Sequence, residues 1–173
     1  MVLMFIKQTG LAVMFCACLR AHAAQWSSDD AHVSFTLPSD PAWHQIKPPR
    51  NEAKLVFQQT NGAATIFFTA FEKKHEKKEI NEKVAAGWEK GFFRKSNTTK
   101  LSSEFFDFKG KHAYKVLDEH MVHGTKFRGL AIVWLNDGRL CSIVASKVDG
   151  APMQDNVIKA FVESTTFLPK HAN

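Results

Sequence analysis

Residues 101–148 read LSSEFFDFKGKHAYKVLDEHMVHGTKFRGLAIVWLNDGRLCSIVASKV, and the period of two in this stretch decides the fold. Apolar and polar residues alternate, as they do when successive side chains point to opposite faces of a sheet. The alternation is interrupted at Lys109-Gly110, His123-Gly124 and Asp137-Gly138, pairs suited to two-residue hairpin turns. Four strands in a meander are therefore predicted. Within them LAIVWL, residues 130–135, is apolar on both faces, which predicts a central strand lying between two layers.

Upstream, AKLVFQQTNGAATIFFTAF (53–71) repeats the pattern around Asn61-Gly62, for which a two-residue type I′ turn is predicted. Its second arm puts Ile66, Phe68 and Ala70 on one face and Phe67 and Phe71 on the other, so cover on both sides is expected. HVSFTLPSDPAW (32–43) opens with a half-buried strand that Pro38 ends, and WHQI (43–46) reads as a short second strand before Pro48-Pro49. The period then changes. Ile80, Val84, Trp88 and Phe92 recur every fourth residue among charges, which predicts an amphipathic helix. Asn81 is its expected N-cap, and Glu79 and Lys83 form an i,i+4 pair. Pro152 opens a last helix with Val157, Ile158, Phe161 and Val162 on one stripe and Asp155 in its first turn. TTFLP (165–169) closes the chain as a short strand. The expectation is an α+β domain: an antiparallel sheet of about six to seven strands with two α-helices packed on it.

The first 23 residues read differently. Lys7 precedes an apolar run, Leu11–Leu19, that as a helix would be roughly 14 Å long, about half of a ~30 Å bilayer core. Ala21-His22-Ala23 follows as small-x-small. This is the pattern of a secretory signal peptide cut near Ala23 or Ala24, with Met4 an equally good start. The rival is lipoprotein processing at Cys18, which would anchor the chain to a membrane. Residues 24–173 then form one domain, expected in the periplasm or secreted. The net charge of +6 falls by two when Lys7 and Arg20 leave. A mildly basic exported chain suits anionic surfaces rather than nucleic acid, but the alternating Lys and Glu of EKKHEKKEINEK (72–83) read first as an ordinary solvated face. Of the three cysteines, Cys16 and Cys18 lie in the leader, so Cys141 has no disulfide partner and is expected in the core.

Candidate sites are few. In DEHMVHG, residues 118–124, His120 and His123 are three apart; on a strand they face opposite sides, which leaves zinc's four-coordinate shell incomplete. They read as exposed strand and turn histidines, with Asp118 and Glu119 as a solvated edge pointing to opposite faces. KKHEKKE around His75 mixes acids with bases and lacks the interleaved aromatics that stack bases. There is no G-x-S-x-G elbow, although a triad can assemble from distant residues. No catalytic, cofactor or metal residue is therefore assigned. The aromatics Phe67, Phe68, Phe71, Trp88, Phe92, Phe93, Phe105, Phe106, Phe108, Phe127 and Trp134 are expected mostly in the core, with a few available to line a groove for an acyl chain.

VSFTLPSDPAW (33–43), GKHAYKV (110–116), GRLCSIVAS (138–146) and IKAFVESTTFLP (158–169) stand in an order and spacing that resemble the PsbP-like superfamily. That superfamily includes the extrinsic subunit P of photosystem II, the yeast Ran-binding Mog protein and bacterial DcrB-like domains. The resemblance covers nearly all of residues 24–173 and rests on apolar positions and turns. It implies a sandwich around an antiparallel sheet, and a role as an accessory that binds and stabilises a larger assembly. The expected function is thus a non-catalytic exported protein that binds a protein or envelope partner. A carrier of a hydrophobic small ligand is the alternative, and an enzyme the third reading.

Overall fold

The computed structural model describes residues 24–48, 53–76, 78–93, 98–151 and 153–169; residues 1–23, on which the expected signal peptide and Cys18 lipidation fall, and Pro152 lie outside them. Among the described residues ten strands and two helices follow in order: β1 (Gln25–Ser28), β2 (Val33–Thr36), β3 (Trp43–Gln45), β4 (Ala53–Gln59), β5 (Ala64–Lys74), α1 (Glu82–Phe93), β6 (Thr98–Phe108), β7 (Lys111–Val122), β8 (Thr125–Asn136), β9 (Arg139–Val148), α2 (Met153–Ser164) and β10 (Thr166–Phe167). Seven of the strands form one antiparallel sheet in the order β3-β4-β5-β9-β8-β7-β6, and β1-β2-β10 form a second. The α+β architecture and the two helices are as the periodicity predicts.

The meander 101–148 behaves as its alternation requires. Both residues of each of the three two-residue turns have positive φ: Lys109 and Gly110 at 55° and 81°, His123 and Gly124 at 48° and 81°, Asp137 and Gly138 at 53° and 77°. That is the type I′ signature. Asn61-Gly62 differs from the expectation. The loop runs over Thr60–Ala63, with Gly62 alone at positive φ (72°). Asn61 Oδ1 accepts from the Ala63 N–H at 2.9 Å, so its side chain closes the turn that its backbone was expected to make.

The two faces of the large sheet carry two cores. On one face Leu55, Phe57, Ile66, Phe68, Ile132, Trp134, Cys141 and Ile143 meet Val33 and Phe35 of the small sheet and Ile158 and Phe161 of α2. Phe35 is the hinge of this core, with its ring 4.8 Å from Phe161 and 5.0 Å from Phe68. On the other face Val116, Ala131, Val133, Leu135 and Val144 lie under Ile80, Ala85 and Trp88. The central strand β8 thus alternates between two dry layers, as its all-apolar sequence demands.

The helix ends are satisfied by named groups. Asn81 Oδ1 accepts from the Val84 N–H at 3.1 Å, confirming the N-cap. Glu79 lies ahead of the helix, so Glu79 and Lys83 are not an intrahelical pair. At the end of α2, Lys109 Nζ donates to the Glu163 and Thr165 carbonyls, covering groups that the helix leaves orphaned. Asn136, buried at 4 % exposure, donates from Nδ2 to the Ala31 carbonyl at 2.7 Å and ties the sheets together. No helix among the described residues is long and apolar enough to cross a membrane.

Candidate functional site

Strand β7 pairs with β8 on one side and β6 on the other, and its register places Asp118 opposite Gly129 and His120 opposite Phe127. Strand β9 in turn places Ser146 opposite Gly129. With alternation, Asp118, His120 and Ser146 all face the side that carries α1. Gly129 has no side chain, and the carboxylate of Asp118 occupies the room this leaves: a Cβ there would lie 2.3 Å from Asp118 Oδ2 and 2.6 Å from its Cγ and Oδ1. The three side chains close into a chain of hydrogen bonds. Asp118 Oδ1 is 2.8 Å from His120 Nδ1, and His120 Nε2 is 3.1 Å from Ser146 Oγ. A carboxylate oxygen only accepts, so Nδ1 is the donor to Asp118, and the tautomer this selects leaves Nε2 as the nitrogen that faces the serine hydroxyl.

Exposure grades along that chain. Asp118 is sealed at 1 %, the His120 side chain is 21 % exposed, and Ser146 is half-buried. The Phe127 ring stacks on the imidazole at 5.7 Å and 12°, which holds its plane. The second oxygen of Asp118, Oδ2, is buried without a hydrogen-bond partner. Leaving a buried acceptor unpaired costs about 1–3 kcal/mol, and more when it is charged. Among the described residues no group of three or more His, Cys, Asp or Glu side chains is placed to hold a metal ion.

The same end of the sheet carries the second candidate feature. Strand β6 is one of the two edge strands of the large sheet, and its residues 99–104 are exposed. The four large apolar side chains that stand exposed among the described residues are Leu101 (51 %), Leu117 (38 %), Met121 (50 %) and Val122 (41 %), all on β6 and β7. Leu101 sits where the β6–β7 register shifts between Lys100 and Ser102, a bulge that turns it outward. Leu117 and Met121 share the face opposite Asp118. Here the sheet runs past its own cover.

No family model and no curated protein sequence matches the chain. Solved structures do. The solution structure of cyanobacterial PsbP (CyanoP) from Synechocystis superposes with a TM-score of 0.63 at 14 % identity, over 83 % of this chain and 91 % of that one. LpqN, described as involved in cell envelope biogenesis in Mycobacterium tuberculosis, gives 0.56 at 14 %, over 86 % and 92 %. A Bacteroides thetaiotaomicron protein gives 0.58 at 11 %, over 84 % of this chain and 48 % of its own length. This chain adopts the PsbP-like fold.

Within the PsbP-like frame the sequence-picked residues separate. His120 and His123 do diverge, His123 lying in the β7–β8 turn. The reading of Asp118 and Glu119 as a solvated edge is corrected at Asp118, which is buried because Gly129 opens a slot for it, and His120, read as exposed, is part-buried with its side chain 21 % exposed. Glu119 points the other way, as expected, and pairs with Lys126 at 2.9 Å and Arg128 at 3.6 Å. Cys141 is fully buried, and desolvation pushes its thiol up to about 12, which suits packing rather than attack. His75 lines a polar cleft of about 520 Å³ at the opposite end of the sheet with Lys78, Lys111, His112 and Asp137. The aromatics between α1 and the sheet pack on one another, Trp88 stacking on Phe92 at 4.6 Å. Ser146 was missed, since 26 residues separate it from His120. The available signals were the i,i+2 spacing of Asp118 and His120 and a glycine inside an otherwise bulky strand.

Proposed function

We propose that the protein is an exported accessory protein that holds a protein partner of the cell envelope against the outer end of β6 and β7. The observation that carries this reading is the exposure of Leu101, Leu117 and Met121, with Val122 at the strand end on the other face, beside the free edge of an eleven-residue strand. An uncovered edge offers a row of backbone N–H and C=O groups to an added strand, and alternate apolar side chains supply the area that fixes it. The N-terminal leader pattern supports export. The likeness to LpqN, described as involved in envelope biogenesis, lends support for an envelope partner.

The test places a photo-crosslinking residue at Ser102, on β6, or at Lys54, on β4 near the opposite edge, in otherwise wild-type protein expressed in its own cell envelope. A discrete adduct from position 102, absent from position 54 and lost on Leu101→Lys with Met121→Lys, is expected. Equal adducts from both positions, or an adduct indifferent to the two lysines, would overturn the reading.

A further inference from the structure

The polar chain on the covered face goes beyond that binding role. We propose that Ser146 is a nucleophile, activated by His120 and Asp118, that accepts the acyl group of esters with apolar acyl chains. The connectivity is the one hydrolytic triads use: carboxylate to Nδ1, Nε2 to hydroxyl. Both links have hydrogen-bond lengths, 2.8 Å and 3.1 Å. The order of exposure is also the useful one, with the orienting carboxylate sealed and the imidazole and hydroxyl reachable.

A structural role alone does not explain the arrangement. Asp118 keeps one buried oxygen unpaired, and β8 gives up a side chain at Gly129 to admit it. A sheet needing only to be filled would carry an apolar pair at these facing positions. The acyl preference follows from the neighbours. Phe127 stacks on the imidazole, Val148 is its cross-strand partner on β9, and Phe67 follows two residues after Thr65 on the same face of β5.

In the acylation step Ser146 Oγ bonds to the ester carbonyl carbon while its proton passes to His120 Nε2. The bond from that carbon to the alkoxy oxygen then breaks, and the same proton leaves with the alcohol. Water, deprotonated by His120, attacks the acyl-serine; a carboxylic acid departs and the hydroxyl is restored. No redox partner is required. Strands β5 and β8 flank Ser146 on both sides, so the nearby backbone N–H groups are committed to the ladder. The developing oxyanion must then take its hydrogen bond from a side chain. Thr65 lies directly across from Ser146 on β5, roughly 4.5–5.5 Å away between Cβ atoms, and supplies a hydroxyl. A single hydroxyl is a weaker cradle than two backbone donors, so activated esters are the expected substrates and turnover is slow.

The experiment uses the full chain, a fluorophosphonate probe and p-nitrophenyl butyrate. The probe forms a serine O–P bond and expels fluoride, and intact-mass and peptide analysis locate the adduct. A single adduct on Ser146 is expected, together with a butyryl adduct after ester mixing. Ser146→Ala abolishes both. His120→Gln lowers the labelling rate by about 100-fold or more, in the range of lost general-base assistance. Asp118 is a positioning residue: Asp118→Asn keeps its shape and an oxygen for His120 Nδ1, so the protein stays folded by circular dichroism, yet labelling slows by about 100-fold. No adduct on folded wild-type protein overturns the proposal. So does an adduct on another serine, or a labelling rate that His120→Gln and Asp118→Asn leave unchanged. None of these results bears on the crosslinking from Ser102.

Discussion

Gly129→Ala tests whether Asp118 is held as tightly as its surroundings imply. The added methyl would sit 2.3 Å from Asp118 Oδ2 and 2.6 Å from Cγ, against the ~3.5–4.0 Å at which nonbonded carbon atoms attract. Asp118 cannot swing aside cheaply. It is sealed at 1 % exposure and bound to His120 at 2.8 Å. An alanine in a strand would ordinarily gain about 0.5–1 kcal/mol over glycine; here overpacking of about 1–3 kcal/mol opposes that gain. A net loss of about 1–2 kcal/mol is expected, or roughly 2–8 °C in melting temperature for a chain of this size. Urea titration and thermal melting of wild type, Gly129→Ala, Asp118→Ala and the double variant measure it. In the Asp118→Ala background the methyl has room, and the penalty should vanish, giving a coupling of at least about 1 kcal/mol. A Gly129→Ala protein as stable as wild type, or an equal penalty in both backgrounds, would refute the packing argument.

Three further outcomes are expected. The chain has one tyrosine, so absorbance at 295 nm reports Tyr114 alone; burial, then its hydrogen bond to Glu89 at 2.5 Å, raises it above the usual 10.0. The midpoint should lie above 10 in folded protein, near 10 in urea, and fall toward 10 in Glu89→Gln; because the folded value is the raised one, Tyr114 stabilises fully below pH 10 and that contribution is lost as pH rises through the folded midpoint. Cys141, its thiol at about 12, should resist an aromatic disulfide reagent at pH 8 and react at the global unfolding rate; fast labelling of native protein would contradict its placement. Trp134 is fully buried with Nε1 unpaired, so Trp134→Phe should change stability by less than about 1 kcal/mol while Trp134→Ala loses about 3–5 kcal/mol by urea denaturation.

Local chemistry was legible wherever one period ruled a stretch. The β6–β9 meander, its three two-residue turns and the Asn81 cap follow from neighbouring residues, because alternation, positive φ and capping are all decided within a few positions. What joins distant segments was not legible. The β5–β9 pairing depends on partners such as Thr69 and Ser142, whose hydroxyls meet at 2.6 Å across 73 positions. Strand β1 escaped notice because QWSS offers one apolar residue and exists as a strand by pairing with β2. At Asn61-Gly62 the dipeptide suits two turn types, and the side-chain bond to Ala63 selected the longer one. The Asp118–His120–Ser146 chain combines both kinds of information. Two of its members share a face by local alternation, and the third arrives through the register of two successive hairpins.

That register also explains why one strand end carries two unlike surfaces. On β7, the even positions 118 and 120 turn toward α1 and the odd positions 117 and 121 turn away, so a slip of one residue would expose the carboxylate and bury Leu117 and Met121. The I′ turn at His123-Gly124 fixes the β7–β8 register, and the one at Asp137-Gly138 fixes β8–β9. Ser146 therefore reaches His120 only if both turns keep their two-residue length. Stability does not require this agreement. Replacing a buried polar cluster with apolar residues of similar size is often neutral or favourable by about 1–4 kcal/mol, and cross-strand apolar pairs would serve at these positions. The energetic case for function thus rests on Asp118 itself: a sealed carboxylate with one oxygen unpaired, admitted by a glycine in the middle of a dry strand, is a poor way to fill a sheet and a good way to orient an imidazole.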